Sequence, residues 1–436
     1  MKLENSNRLN ERAKKSLVGG VNSPVRSFKR VGEKPILVES AHGTFIKDVD
    51  GSEYVDLVMS YGPHLFGHAH PKIVEAVQKA SKKSSCFGMT AEKEIEWAEK
   101  ILSFFPYFQK ARAMSSGTEA CATAIRLARG YTGRNKVLKF SGHYHGHVDS
   151  LMVAAGSGLA TLAEGENPVP DSAGIPEALS SLAVVSEFNN LDLLEKVFAA
   201  HGESLACVIL EPIMGNMGVI PPKQEFLNGL RQLTRKHNVV LIFDEVMTGF
   251  RVHPNSAQGL YGIEPDLTCL GKVVGGGLPL SGLVGTDEIM SHLAPLGPVY
   301  QAGTLSGNPI CVEAGIAMLD LIREESPYEA LESLGQDFET TLLDEIQRER
   351  LPFCVNRVGS MISVFAREQN PANDRDATEI DEELFNHYFW SMLESGVMLP
   401  PSPFEAYFLN VELAKAPGDV WKQPIRKAFE AIRAHA

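Results

Sequence analysis

Short apolar runs alternate with helical patterns through the middle of the chain, and this alternation constrains the fold more than any other feature. The runs are rich in Val, Ile and Leu and lack a clean period of two, which is typical of strands buried on both faces. Strands are predicted at Lys136–Phe140, Ala183–Phe188, Ala206–Pro212, Val239–Val246, Asp266–Leu270 and Leu280–Gly285. Helices are predicted between several of them, at Thr118–Arg129, Leu191–His201 and Gln224–His237. This succession predicts an α/β protein whose mostly parallel sheet is covered by helices on both faces.

The character of the sequence changes after Asn308-Pro309, which predicts a second, smaller unit. The patterns that follow are helices at Cys311–Glu325 and Tyr328–Glu349, an apolar run at Met361–Phe365, and helices at Glu382–Ser395 and Pro424–Ala434. We therefore expect three parts: an N-terminal arm (1–50), a large domain (51–308) and a small α+β C-terminal domain (309–436).

Charge and composition exclude several classes of protein. The 436 residues contain 41 Lys and Arg against 54 Asp and Glu, a net charge of −13 that argues against nucleic acid or anionic membrane as the main partner. No apolar run reaches the roughly 18 residues of a membrane span, and the polar start lacks a signal core. The six cysteines contain no Cys-x-x-Cys pair, so free thiols in a reducing cytoplasm are expected.

Asp244 and Lys272 are the most informative pair of polar residues. Each ends a predicted buried strand, and in open α/β sheets ligands gather at the carboxyl ends of strands. A partly buried lysine there has a lowered pKa and is nucleophilic toward an aldehyde, while a neighbouring carboxylate suits a protonated pyridine nitrogen. A surface lysine and a loop-capping aspartate remain an equally good interpretation of the two residues by themselves.

Two further stretches have ambiguous chemistry. Ser115–Ala120 opens a predicted helix with small and hydroxyl residues, which suits a phosphate at the helix N-terminus but also an ordinary cap. His143, His145 and His147 alternate like metal ligands, yet no Cys or Glu cluster accompanies them, so a metal site is not favoured. Tyr144 follows a predicted strand and can stack on a planar ring or simply be buried.

The stretch from Ala154 to Ala178 is rich in Gly, Pro and Ser and has little periodicity. Long loops without regular structure are uncommon and are often functional lids. Composition alone is equally compatible with a lid and with a passive surface insertion.

The motifs taken together resemble those of the class III pyridoxal-phosphate aminotransferases. They are GGVNSPVRSF (19–28), SSGTEAC (115–121), YHGH (144–147), FDEVMTGFR (243–251), LGKVVGGGLP (270–279) and YQAGTLSGNP (300–309), with weaker similarity to PSPFE (401–405). The resemblance implies an aspartate-aminotransferase-like fold, pyridoxal 5'-phosphate (or its pyridoxamine form) as coenzyme, and a homodimer with its active site at the subunit interface.

The resemblance also assigns roles to individual residues. It implies that Lys272 forms the internal Schiff base and shuttles protons, that Asp244 keeps the pyridine nitrogen protonated, and that Tyr144 stacks on the ring. The other implied coenzyme contacts are Ser116, Gly117 and Thr118 at the phosphate, Thr304 from the second subunit and Asn216 near the ring hydroxyl. The implied substrate contacts are Ser23, Arg26, Ser157 and Glu405.

Within the family, the N-terminal motif, the 154–178 stretch and Glu405 favour the aminomutase branch. Its members convert glutamate-1-semialdehyde into 5-aminolevulinate, a tetrapyrrole precursor, by amino exchange within one substrate. A cytoplasmic enzyme and contact with the enzyme that supplies the semialdehyde are further expectations. The alternatives are an ω-amino acid aminotransferase, a non-catalytic protein that keeps the fold as an interaction scaffold, and a metal-dependent enzyme using the three histidines.

Overall fold

The structure is a computed structural model that describes residues 2–32, 34–154 and 171–433. Near the N-terminus, three strands form an antiparallel ribbon: β1 (Val38–His42), β2 (Phe45–Asp48) and β3 (Glu53–Asp56). Strands β1 and β2 lie within the first fifty residues, which the sequence predicts to be an N-terminal arm.

The large sheet comprises seven strands in the spatial order β4-β10-β9-β8-β7-β5-β6. In chain order they are β4 (Lys110–Met114), β5 (Lys136–Phe140), β6 (Ala183–Ser186), β7 (Leu205–Leu210), β8 (Val240–Glu245), β9 (Leu267–Leu270) and β10 (Ser281–Gly285). All pairings are parallel except those of β10, which runs antiparallel to both β4 and β9. The mostly parallel sheet expected from the sequence is therefore confirmed, whereas β4 was missed because its exposed, charged start hides the pattern.

The C-terminal part contributes four further strands. They are β11 (Cys354–Val358), β12 (Met361–Phe365), β13 (Val397–Met398) and β14 (Tyr407–Phe408). Strands β11, β12 and β14 form an antiparallel sheet, while β13 pairs in parallel with β3. The N-terminal ribbon is thus joined to the C-terminal part, and the three domain boundaries remain a prediction.

The helices connect and cover these sheets. In chain order they are α1 (Glu4–Ala13), α2 (Pro71–Ser81), α3 (Glu92–Leu102), α4 (Gly117–Thr132), α5 (Glu177–Ser180), α6 (Leu191–His201), α7 (Gln224–His237), α8 (Ser256–Tyr261), α9 (Asp287–Met290), α10 (Pro309–Glu325), α11 (Tyr328–Glu349), α12 (Asp374–Thr378), α13 (Glu382–Glu394), α14 (Val411–Lys415) and α15 (Asp419–Arg433). Helix α15 begins at Asp419, before Pro424, where the prediction had started it, and the proline lies inside the helix. No helix in the described ranges is long and apolar enough to cross a bilayer.

Both faces of the large sheet are buried, as the continuous apolar runs predict. On β8, Leu241 and Phe243 pack with helices α6 and α7, whereas the alternate residue Ile242 packs with α4. Because successive side chains of a strand point to opposite faces, one short run serves two cores. Helices therefore cover both faces, and the carboxyl ends of the parallel strands stay open for polar groups.

Candidate active site

Three polar residues lie where consecutive parallel strands end. Glu211 follows β7, Asp244 lies at the end of β8, and Lys272 follows β9 after a single glycine. Since β7, β8 and β9 are adjacent in the sheet, these three side chains meet at one edge. The expectation that Asp244 and Lys272 lie on neighbouring strand ends is confirmed, and a second carboxylate joins them.

Asp244 is buried and held by three neighbouring groups. Its Oδ2 atom lies 2.8 Å from Nδ1 of His145 and 3.3 Å from Sγ of Cys121, while Oδ1 accepts the backbone N–H of Val246 at 3.0 Å. Burial lowers the pKa of His145, although Asp244 opposes that shift, so the ring is neutral at pH 7. These contacts fix the carboxylate in one orientation.

Lys272 lies in a left-handed backbone conformation (φ 45°) at the start of a short 3₁₀ turn. Burial lowers the pKa of its amine, and the carboxylates of Glu405, Glu211 and Asp244 oppose the shift. The amine lies 6.0 Å from the ring centre of Phe408. A lysine with a lowered pKa is a better nucleophile than an exposed lysine, because more of its amine is neutral at a given pH.

Two glycines allow helix α4 to begin directly beside Asp244 and Lys272. A Cβ on Gly117 would come within 2.9 Å of the Val246 side chain, and one on Gly271 within 3.0 Å of the same residue. The side chain of Ser116 caps the helix by accepting the N–H of Glu119 at 3.2 Å. Among the described residues, no acceptor meets the N–H groups of Gly117 and Thr118. Those two donors, at the positive end of a helix, suit an anion.

The loop that carries Tyr144 folds over the same edge. The Tyr144 N–H donates to Oε1 of Glu211 at 2.8 Å, and Asn216 Nδ2 donates to Oε2 of that glutamate at 2.9 Å. The half-exposed Tyr144 ring is free to contact a ligand, and Gly146 lets its loop approach Thr118, since a Cβ there would lie 2.5 Å from Oγ1 of that threonine. Glu211 thus connects two residues predicted from the motifs.

A second group of residues reaches the edge from distant parts of the chain. Glu405 is buried and acts electrostatically on both Lys272 and Tyr61. The Tyr61 hydroxyl donates to the carbonyl of Val25 at 2.7 Å, and Arg26 also acts on that tyrosine. Ser23 directly precedes the same short N-terminal turn, Pro24–Arg26. Three of the predicted substrate contacts therefore lie on segments that converge on the site.

The described residues do not test two of the predicted contacts, Thr304 and Ser157. Thr304 is exposed on the 300–308 loop, where its carbonyl accepts a hydrogen bond from Cys86 Sγ at 3.6 Å. Ser157 lies outside the described residues, as does most of the 154–178 stretch interpreted as a lid. The expected roles of both residues stay predictions.

Two residues at the site were missed from the sequence. Glu211 could have been found, because it ends a buried apolar run just as Asp244 does. Tyr61 carries no such signal: Met59, Ser60 and Tyr61 all have left-handed backbones (φ 44°, 54° and 64°), a rare conformation that no local pattern announces.

The chemistry of this site fits a phosphorylated pyridine aldehyde. The unmet N–H groups of helix α4 suit the phosphate, Lys272 suits the aldehyde, and the buried Asp244 suits a protonated ring nitrogen. Protein groups contact one ring nitrogen of His143 and one of His145. Nδ1 of His143 accepts the Glu211 N–H at 2.9 Å, and Nδ1 of His145 contacts Asp244.

Comparisons with known proteins agree with the fit to a phosphorylated pyridine aldehyde. The family model described as aminotransferase class-III matches residues 28–406. The glutamate-1-semialdehyde 2,1-aminomutase of Persephonella marina is 48% identical over 94% of this chain and 95% of its own length.

Solved structures are similar over nearly the whole chain. An omega-transaminase from Sphaerobacter thermophilus has a TM-score of 0.88 and 31% identity, covering 97% of both chains. A glutamate-1-semialdehyde-aminomutase from Pseudomonas aeruginosa, in complex with PMP, has a TM-score of 0.85 and 27% identity, covering 98% of this chain and 94% of its own.

Proposed function

This chain belongs to the class III aminotransferase family, and from that membership we propose that it converts glutamate-1-semialdehyde into 5-aminolevulinate. The reaction moves an amino group from carbon 2 to carbon 1 of one substrate and supplies a tetrapyrrole precursor. The observation that carries the proposal is the meeting of Lys272, Asp244 and an anion-binding helix start in a chain so similar to an aminomutase.

Pyridoxal 5'-phosphate is the coenzyme, and when bound it supplies an electron-accepting ring and a carbonyl that exchanges amines. Gly117 and Thr118 would hold its phosphate through their N–H groups, with Thr304 of a second copy and Ser116 adding to that site. Tyr144 would lie against the ring, and Asp244 would pair with the ring nitrogen. Asn216, fixed by Glu211, would face the ring hydroxyl.

Lys272 is the residue that moves protons. Because burial lowers the pKa of its amine, the neutral form is reached more easily than in an exposed lysine, and that form can accept a proton from the reacting carbon. The surrounding carboxylates stabilise the protonated amine that results. His145 holds Asp244 in place and takes no proton from the substrate in this scheme.

The wall formed by Ser23, Arg26, Tyr61 and Glu405 selects the substrate. Arg26 offers a guanidinium to the distal carboxylate, whereas the buried Glu405 lies near Lys272, where the amine and aldehyde react. A carboxylate there repels substrates with a carboxylate beside the reacting carbon and tolerates an aldehyde. Ser157, which lies outside the described residues, stays a predicted substrate contact.

A homodimer is the proposed assembly. Large apolar side chains lie exposed on two adjoining loops: Phe87, Met89, Leu296, Tyr300 and Leu305. The loops are joined by a hydrogen bond from Asn308 to the Ser85 carbonyl (2.6 Å), so they form one patch beside Thr304. Covering this patch with a second copy would bring Thr304 toward the other site, which sedimentation mass can test.

The cytoplasm is the proposed location, because all six cysteines are free thiols. Contact with the enzyme that supplies the semialdehyde stays a prediction. The runner-up activity is that of an ω-amino acid aminotransferase, supported by the similarity to the omega-transaminase structure.

One experiment separates the two activities. The purified protein is loaded with pyridoxamine 5'-phosphate, its visible absorption is recorded, and glutamate-1-semialdehyde is added without any keto acid. Steady formation of 5-aminolevulinate over many turnovers is expected, with a spectral change on mixing. A single turnover that resumes only when an amino donor or acceptor is supplied would favour the aminotransferase.

A further inference from the structure

Lys139 is a wholly buried lysine near the end of strand β5, with no role in the mechanism above. Its Nζ atom donates to three backbone carbonyls: His143 at 3.0 Å, Leu151 at 3.2 Å and Val153 at 2.6 Å. An ammonium has three N–H donors, so all of them are used.

Packing of the core does not require a charged residue at position 139. Strand neighbours Val137, Leu138 and Phe140 are fully buried and apolar, so an aliphatic residue would satisfy the pattern. Burying an ammonium is costly unless its hydrogen bonds are complete, and a chain that retains one gains something other than core packing.

The three carbonyls belong to one loop, the segment 143–153 that follows β5. This loop carries Tyr144, whose N–H donates to Glu211, and His145, which contacts Asp244. Glu211 and Asp244 hold the loop at the edge of the sheet, while Lys139 holds it from beneath. The same loop leads directly into the 154–178 segment, and Gly142 N–H donates to the carbonyl of Ala154 at 3.0 Å.

We propose that Lys139 is a positioning residue, which fixes the 143–153 loop so that Tyr144 and His145 are in place before the coenzyme ring arrives. The inference rests on the proposed function, because it requires the ring to lie against Tyr144 and beside Asp244. Lys139 touches neither coenzyme nor substrate and acts only through the loop backbone.

The charges around Lys139 predict the pH at which its hydrogen bonds to the 143–153 loop weaken. Burial lowers the pKa of its amine to about 8, and the carboxylates of Asp171, Glu211 and Asp374 oppose that shift. The other titratable groups facing it, His143 and His145, have pKa values lowered by burial and by Lys139 itself, so they are neutral over the same range. Above about pH 8 the amine loses its charge and one of its three donors.

The test compares Lys139→Met with Lys136→Met, a control on the same strand whose partly exposed amine lies 3.5 Å from His201 Nδ1. Pyridoxal 5'-phosphate is titrated into each full-length protein, and the Kd, the visible absorption maximum and the Tm without coenzyme are measured. Lys139→Met is expected to bind the coenzyme at least about tenfold more weakly, with a shifted absorption maximum, since charge-assisted hydrogen bonds are lost. Lys136→Met should match the wild type.

The outcomes distinguish failure of the Lys139 inference from failure of the proposed function. A lower Tm in Lys139→Met with wild-type Kd and absorption would assign Lys139 to stability alone and overturn the inference. Lys139→Gln, which keeps two N–H donors, should fall between wild type and Lys139→Met; if neither variant folds, the residue serves folding and the inference is wrong. Failure of the wild type to bind the coenzyme would instead overturn the proposed function.

Discussion

The site has two sides that are built in different ways. One side, the strand-end floor (Glu211, Asp244 and Lys272), comes from adjacent strands of one sheet. The other side, the converging wall (Ser23, Arg26, Tyr61 and Glu405), comes from segments that meet only in the folded chain. In the proposed function, the floor carries the reacting groups, whereas the wall distinguishes one substrate from another.

Removing the floor lysine should have the largest effect. Lys272→Ala is expected to lower turnover of glutamate-1-semialdehyde by about 10³-fold or more, because both the amine nucleophile and the proton carrier are lost. The measurement is single-turnover formation of 5-aminolevulinate, together with the absorption of bound coenzyme. Lys79→Ala, an exposed lysine paired with Glu75, is the control and should be unaffected. Wild-type turnover in Lys272→Ala would show that the floor is not the reacting side.

Neutralising the floor carboxylate should have the next largest effect. Asp244→Asn keeps the size of the side chain but cannot stabilise a positive ring nitrogen, so kcat should fall by about 10²-fold. Measuring both kcat and the coenzyme Kd separates an effect of the substitution on the chemical step from an effect on coenzyme binding. An unchanged kcat with a weaker Kd would reduce Asp244 to a binding residue.

A change in the wall should alter preference more than rate. Glu405→Arg is expected to shift the ratio of kcat/KM values, from the semialdehyde toward amino acids with a carboxylate beside the reacting carbon, by about 10- to 100-fold. Glu412→Arg on the neighbouring helix α14 is the control. If the ratio stayed at its wild-type value, the division of labour between floor and wall would be wrong.

The smallest expected effect is a pH dependence of stability. Burial, with help from Asp244, raises the pKa of Glu211 from its ordinary 4.5 to about 7. The folded protein therefore keeps a proton that the unfolded chain loses, so the stabilisation is full below about pH 4.5 and is lost as the pH rises through about 7. The Tm of the coenzyme-free wild type, relative to Glu211→Gln, should fall between pH 5 and pH 8; parallel Tm profiles would contradict this.

Much of the floor could be predicted because the signal is local. A buried strand announces itself as a short apolar run, and a polar residue at its end is placed by the strand itself. Asp244 and Lys272 follow from that rule, and Glu211 would have followed from the same rule. Strand β4 did not, since its start is exposed and charged and its burial depends on packing beside β10.

The amino-acid sequence by itself determined the parallel sheet, the helices that cover it and the edge where reactive groups gather, because these depend on residue patterns a few positions long. Only the tertiary structure decided that Tyr61 meets Val25 near Glu405, and that Lys139 lies wholly buried beneath the Tyr144 loop. The physical reason is separation along the chain: the first contact joins distant segments. The second buries a charged residue of a kind that is usually exposed. Such placements are set by how the packed elements close on one another, which no short pattern encodes.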